Sequence, residues 1–427
     1  MSYPRPQARP QFHSRPQPRP QDRSQRRRRP MSREEALARQ ERRQRQKELE
    51  EESRELARGP IDLPFFVLVM LLLGIGLVML LSASFPSAYA ETDGENPLYY
   101  FSHQAVFAVM GVAAMIFIGK INYQRFRALG KPLLYLSVIL LALVLVPGVG
   151  LTRYNATRWL GIPGTSFQFQ PSEIAKAAVV LYFADSISKK KDQMRSFRYG
   201  ILPYAMILLV VAGLVLPEPH LSGAILILGA GAAMMLVGGI NWAWIGGALA
   251  AAGGLLYTVL FVVEYNKSRI TSWLDPWADA QGSGYQLVQS LIAIGSGGLL
   301  GVGLGKSQQK FYYLPEEHND FIFAIVCEEL GLIGAAIIMA IFAALILRGF
   351  WIALHARDRF GSLLVVGIIT LMGVQTFLNI GVVTGLLPTT GISLPFFSYG
   401  GTALSIQLAE MGIVLSVSRQ MKPTRAG

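Results

Sequence analysis

The stretch Tyr313–Phe323, YLPEEHNDFIF, sets Glu316, Glu317, His318 and Asp320 directly before a long apolar run. A carboxylate so placed can act as a general base, and a neighbouring histidine can share its proton or orient a hydroxyl. Glu316 and Asp320 are four residues apart, which puts both on one face if the segment is helical. Asp320, or Asn319, can equally cap the helix that follows, which is worth about 1 kcal/mol. A carboxylate left unpaired at a membrane surface is costly, and this favours chemistry at Asp320.

Two further stretches carry reactive or site-forming residues. In TRWLGIPGTSFQFQPSEIAK, residues 157–176, Glu173 and Lys176 lie three apart on one helical face. They can form a buried ion pair or point together into a cavity. Arg158 precedes Trp159, which by itself is an ordinary interfacial anchor. The second stretch, GLLPTTGISLPFFSYGG at 385–401, includes Ser398 among its hydroxyls and holds two prolines and four glycines. It cannot continue as a plain helix. Irregular backbone at membrane depth survives only when buried or lining a cavity, so this stretch is either a site wall or a rigid connection.

Lys267, Arg269, Lys306 and Lys310, with Arg153 and Arg158, are cations expected on the outer side. Together they point to an anionic ligand, phosphate above all; for any single one, a solvated surface charge is the alternative. Gly305-Lys306-Ser307 imitates the end of a phosphate-binding loop, but Leu300 stands where that motif needs glycine. No strand precedes it, so a nucleotide site is excluded.

These residues need membrane helices to hold them. Hydrophobic residues make up 52% of the chain and charged residues 15%, and the mean hydropathy is +0.39. Several runs reach the roughly 20 residues that cross a bilayer. Cys327 is the single cysteine, which rules out an intrachain disulfide or a CxxC metal site. The first apolar run starts near Leu63 behind a charged tail, so no signal peptide is expected.

Residues 1–59 hold 17 Lys and Arg against 9 Asp and Glu, and so carry most of the net charge of +12. Residues 1–30, rich in Pro, Gln and Arg, lack the apolar content to fold. Residues 32–58 open on a Ser32-x-x-Glu35 capping box and continue as a charged, solvated helix. The Arg26–Arg29 cluster fits anionic membrane lipids better than nucleic acid, which is not expected as a partner.

The expected fold is an all-α polytopic membrane protein. Ten transmembrane helices are placed near 62–84, 101–119, 132–149, 173–188, 200–217, 221–239, 241–263, 320–350, 360–383 and 399–418. Basic residues recur in the loops that then face inward, among them Lys120, Arg125, Lys189, Lys190, Arg348 and Arg419. Both termini are therefore expected in the cytoplasm. The domains are a basic tail at 1–59, a membrane domain at 60–420 and a short tail at 421–427. A large outer loop spans 264–319, and within it Leu287, Leu291 and Ile294 share one face of an interfacial or re-entrant helix.

Arg158-Trp159, FQPSEIAK (169–176), WLDPWADAQGSGYQLVQSLIAIGSGGLLGVGLG (273–305), YLPEEHNDFIFAIVCEELG (313–331) and PTTGISLPFFSYGG (388–401) occur in this order. With them, residues 62–420 resemble the SEDS family, the FtsW/RodA/SpoVE proteins of bacterial cell-wall synthesis. The resemblance implies a peptidoglycan glycosyltransferase that polymerises lipid II into glycan strands at the outer face of the cytoplasmic membrane. It puts the essential acid at Asp320, as catalytic base and as a metal-binding residue. Glu173, Lys176 and Arg158 fall on the family's acidic and basic site positions. Lys306, Lys310, Glu316, His318 and Ser398 complete the expected substrate-binding set.

The resemblance also implies a divalent cation (Mg²⁺ or Mn²⁺), a class B penicillin-binding transpeptidase and other division proteins as partners. Glu317 and Asn319 depart from the commoner PEAHTD form, and Tyr312 stands where division-type members carry a further acid. EPHLSG (218–223) replaces the commoner PDLGT, so no site role is expected there. The long tail leans toward the division type over the elongation type. A lipid II transporter and a non-catalytic scaffold are the competing functions; site residues gathered on one side weigh against the first.

Overall fold

The computed structural model describes residues 59–421 apart from 154–155, 162–167, 219–220, 242–243, 245, 248–252, 255–269 and 312, together with Gln44. The chain divides into two units, Met1–Glu52 and Ser53–Gly427, and the second is described here. The expected tail helix, most of the expected helix at 241–263, Lys267, Arg269 and the side chain of Arg153 lie outside the described residues.

The described chain is mostly helical: α1 (Leu63–Glu91), α2 (Tyr99–Lys120), α3 (Gly130–Val144), α4 (Pro171–Lys190), α5 (Leu202–Val215), α6 (Leu221–Val237), α7 (Tyr285–Gly297), α8 (Ile322–His355), α9 (Arg359–Val383) and α10 (Gly401–Ser418). Seven helical segments, those containing α1, α2, α3, α5, α8, α9 and α10, are long and apolar enough to cross a membrane. The protein is a multi-pass membrane protein. α4 is long enough but carries Glu173, Lys176, Asp185, Lys189 and Lys190, and α6 is apolar but only 17 residues long. Nine of the ten expected spans thus meet a helix.

The all-α expectation needs one correction. β1 (Leu151–Arg153), β2 (Ala156–Gly161) and β3 (Gln168–Phe169) form a small antiparallel sheet in the order β1-β2-β3. These strands are too short for an alternating pattern to stand out, and cross-strand pairing is what makes them. The sheet leads into α4 and carries Arg158.

Helix termini are fixed by local chemistry. The Asp62 carboxylate accepts from Phe65 N–H at 3.0 Å to cap α1 and also takes two bonds from Arg348, at 2.7 and 3.0 Å. α2 and α10 approach closely because both carry glycines; a Cβ on Gly412 would lie 2.6 Å from the Met115 carbonyl. Such small-residue seams are how membrane helices gain dispersion contacts without a hydrophobic driving force. α9 is the most buried of the spans; it packs on α4, α6, α8 and α10.

α8 is broken at Gly331, whose φ of 67° and ψ of −173° are not helical. The Gly-rich loop 298–305 fills the break. Val302 and Gly303 N–H groups donate to the carbonyls of Glu328 and Glu329 at 3.0 and 3.1 Å, while Leu332 and Ile333 N–H groups donate to Gly298 and Leu299 at 2.9 and 3.1 Å. These four bonds give backbone groups around the break the partners that an apolar setting requires. The glycines that imitate a phosphate-binding loop serve this clasp.

Lys310 belongs to the same region and is a correction. It is 4% exposed, pairs with Glu329 at 2.9 Å, and donates to Ser82 Oγ and the Gly305 carbonyl at 3.0 and 2.8 Å. It is a buried cation tying 305–310 to α1 and α8. Lys306, by contrast, is exposed.

Two substitutions test this construction. Gly331→Ala puts a Cβ 2.2 Å from Gly301 N in a conformation that costs a non-glycine residue 1–3 kcal/mol. A clear drop in detergent Tm is expected, and an unchanged Tm would contradict the clasp. Lys310→Met strands a buried Glu329 carboxylate, a loss of about 3–5 kcal/mol. It should appear as lost thermal stability, with affinity for a lipid pyrophosphate retained in the protein that stays folded.

Candidate active site

The segment holding the carboxylates is a chain of turns, so the expected shared helical face of Glu316 and Asp320 does not exist. Glu316 adopts φ of 57°, and its carbonyl accepts from Asn319 and Phe321 N–H at 3.0 and 3.2 Å. α8 begins only at Ile322 and has no side-chain cap. Asp320 is therefore not a helix cap, and Asn319 donates instead to the Glu316 carboxylate at 2.6 Å.

Asp320 points to Gly391. A Cβ at Gly391 would lie 3.1 Å from Asp320 Oδ2 and 3.6 Å from Arg158 Nη1. The glycine thus leaves open the space where the carboxylate and the guanidinium meet. Burial and the nearby Glu316 carboxylate push the Asp320 carboxyl up to about 7, against the opposing pull of Arg158 and His318. Such a group holds its proton at mildly acid pH and exchanges it near neutrality. The sign differs from that of an exposed aspartate, which stays ionised there.

His318 is buried. Its ring lies 4.5 Å from the ring of Tyr100 and its Nδ1 is 3.3 Å from Glu317 Oε1, while Ser87 Oγ donates to the same Glu317 oxygen. The histidine is thus held from both sides.

The 385–401 stretch is the wall that its composition suggested. Asn379 Nδ2 donates to the carbonyls of Asp320 and Ile392 at 2.8 and 2.7 Å. One helical turn earlier, Gln375 Nε2 donates to the Ser393 carbonyl at 3.0 Å. The Ser398 hydroxyl donates to the Asn319 carbonyl and accepts from Leu394 N–H, both at 2.7 Å. It stitches the wall to the Asp320 turns.

Glu173 and Lys176 form a buried ion pair at 2.8 Å, and Lys176 Nζ also reaches Gln375 Oε1 at 3.4 Å. They border a narrow cleft with Gln375, Phe396, Gln407 and Glu410. The pair and Asp320 are linked through α9, whose Gln375 and Asn379 touch one cluster each. Neither amide was legible as a site residue in the sequence, because both sit inside an apolar span. Glu410 was missed for the same reason.

Glu218 was set aside in the sequence because EPHLSG departs from the usual motif, yet the structure brings it to the site. Arg158 Nε donates to the Glu218 carbonyl at 2.9 Å, and the Glu218 side chain is 1% exposed. Burial pushes its carboxyl up to about 8, with Arg158 opposing. Ser222, just beyond, donates to the Gly391 carbonyl at 3.3 Å.

Among the described residues, no three His, Cys, Asp or Glu side chains converge as metal ligands. Mg²⁺ commonly takes one or two carboxylates and completes its shell with substrate phosphates and water. Asp320, with Glu316 beside it, fits that partial donor set.

Comparisons with known proteins show the family of the chain. The family model for the FtsW/RodA/SpoVE proteins, described as cell cycle protein, matches residues 63–423. A probable peptidoglycan glycosyltransferase FtsW of Geobacter metallireducens is 41% identical over 363 residues, covering 85% of this chain and 96% of that protein. Stage V sporulation protein E of Bacillus subtilis is 43% identical over 361 residues, covering 84% and 97%. Among solved structures, a chain from work on the coordination of polymerization and crosslinking by a peptidoglycan synthase complex superposes with a TM-score of 0.70 at 31% identity, covering 84% of this chain and 98% of that one. The rod shape determining protein RodA of Thermus thermophilus gives 0.62 at 28% identity, covering 86% and 99%. A family model over most of the chain and relatives above 40% identity lead to one conclusion: the chain belongs to the FtsW/RodA/SpoVE family.

Proposed function

We propose that this protein is a peptidoglycan glycosyltransferase that polymerises lipid II into glycan strands, with Asp320 as its general base. The observation that carries the mechanism is the meeting of Asp320 and Arg158 at Gly391. The activity itself rests on relatives named as probable peptidoglycan glycosyltransferases.

Asp320 in its ionised form accepts the proton of the acceptor sugar's C4 hydroxyl as the oxygen attacks the anomeric carbon of the donor. The new C–O bond forms as the bond to the lipid pyrophosphate breaks, and the electron pair leaves with the pyrophosphate. An α-linked donor becoming a β-linked product requires inversion, hence a single displacement with no glycosyl-enzyme intermediate. The carboxyl's position near 7 makes it a stronger base than an ordinary aspartate while leaving it largely ionised just above neutrality. Arg158 meets the developing negative charge of the leaving group, and exposed Lys306 draws in the anionic substrate. The Glu173–Lys176 cleft receives the second lipid-linked substrate, and it has to widen to do so. A divalent cation, Mg²⁺ or Mn²⁺, held by Asp320 with the substrate's phosphates would supply further countercharge.

The same proposal places ten helices in the cytoplasmic membrane, with both tails inside and 264–319 outside. The positive-inside pattern supports that orientation. Relatives of division and sporulation type at 41% and 43% identity, against 28% for the RodA chain, support a role in division. A class B penicillin-binding transpeptidase is the partner proposed, since crosslinking must follow polymerisation. The match to a chain of a peptidoglycan synthase complex supports it.

The test is polymerisation of labelled lipid II by the purified protein with its transpeptidase, products being resolved by length. Wild type should make strands and folded Asp320→Asn none, a loss of more than 100-fold. Below pH 7, wild-type kcat/KM should fall about tenfold per pH unit as Asp320 takes up its proton. Equal strands from both proteins would remove Asp320 from the chemistry.

A further inference from the structure

Glu218 is the buried acid that the mechanism above leaves unused. Its side chain is 1% exposed, and among the described residues neither carboxyl oxygen has a hydrogen-bond partner. A buried carboxyl in that condition costs free energy in either protonation state and far more when ionised. It lies in the short connection between α5 and α6, and Arg158, which binds its main-chain carbonyl through Nε, is the one charged group among the described residues that bears on it. Arg158 stands between two carboxyls, since it acts on Asp320 as well. Beyond it, Glu316 and His318 also act on Asp320.

We propose that Glu218 is a positioning residue that controls Arg158: while uncharged it leaves the guanidinium's charge to the anionic substrate on the Asp320 side, and when ionised it draws that charge away. The carbonyl bond fixes one edge of the guanidinium, and the remaining Nη groups are the part that reaches Gly391. An ionised Glu218 carboxylate is a stronger partner for the nearby guanidinium than the neutral carboxyl, so ionisation weakens what Arg158 offers a pyrophosphate. The proposal rests on the glycosyltransferase reading for its substrate class, though pyrophosphate affinity can be measured without turnover.

The sign follows from the raised carboxyl. Glu218 keeps its proton below about pH 8 and loses it above. Affinity for a lipid pyrophosphate should therefore fall as pH rises through 8, and the effect should appear in KM more than in kcat. Glu218→Gln keeps the uncharged shape and removes the titration.

Binding of a polyprenyl pyrophosphate to the full-length protein in nanodiscs would be measured from pH 6.5 to 9.5, with lipid II turnover alongside. Wild type is expected to weaken about tenfold between pH 7 and 9.5. Glu218→Gln should match wild type at pH 7, keep only the shallower loss that follows ionisation of Asp320 near 7, and show no further loss centred on pH 8, while Arg158→Gln should be weak throughout. Superimposable wild-type and Glu218→Gln binding curves would overturn the proposal, as would absence of pyrophosphate binding by folded wild type. Glu218→Asp, which retains a titrating group, should keep an alkaline loss and so separates charge control from mere packing. Binding that follows these curves without any turnover would uphold Glu218 and fail the glycosyltransferase reading alone.

Discussion

A non-helical chain inside a membrane protein has to find partners for its own peptide groups, since lipid offers none. The site of this protein is built on that constraint. Two irregular stretches, 313–321 and 385–400, approach one another, and Asn379 on buried α9 holds both by donating to the carbonyls of Asp320 and Ile392. Because both acceptors are carbonyls, the amide has only one orientation that works. Ser398 closes the join from the other side through the Asn319 carbonyl. Asp320 is thus fixed by its main chain, and its carboxylate can turn to Gly391 without being consumed by a helix cap. The break in α8 at Gly331 obeys the same rule with a different partner, the 298–305 loop.

The charges divide into those committed to structure and those held for chemistry. Lys310 with Glu329 and Glu173 with Lys176 are close, buried pairs. Each is costly to break, because the survivor would be a charge without a partner. Arg158 differs in kind: one of its bonds is to a neutral carbonyl, and its charge acts on two carboxyls, Glu218 and Asp320. A cation arranged in that way can transfer its attention to an incoming anion at little cost. Both carboxyls beside it hold their protons more tightly than ordinary acids, which lessens the repulsion met by a substrate that brings its own negative charge.

The apolar spans were readable because hydropathy is a property of the segment itself. α2, α9 and α10 start and stop within two residues of where the sequence placed them, and α1 and α8 start so but run seven and five residues further; the helix at α7 with Leu287 on its buried face was equally visible. What sequence could not give was partnership across distance. Lys310 looked like a free outer cation because Glu329 follows 19 residues later, past the turns that bring them together. The bonds of Ser398 were hidden because its partners, at Asn319 and Leu394, are main-chain atoms. Glu218 was passed over through its motif, and Gln375 and Asn379 read as isolated polar residues in a span. Spacing suggested one helical face for Glu316 and Asp320, and the positive φ of Glu316 shows why a turn replaced it.

The proposed mechanism needs Asp320 to be an acid of near-neutral strength, ready to accept a proton from a sugar hydroxyl. The most direct test is an infrared pH titration of the carboxyl stretch, taken as the difference between wild type and Asp320→Asn. A protonated carboxyl band that disappears with a midpoint near 7 is the result expected. A midpoint near 4, the value of an ordinary exposed aspartate, would contradict the account and leave the base to be sought elsewhere.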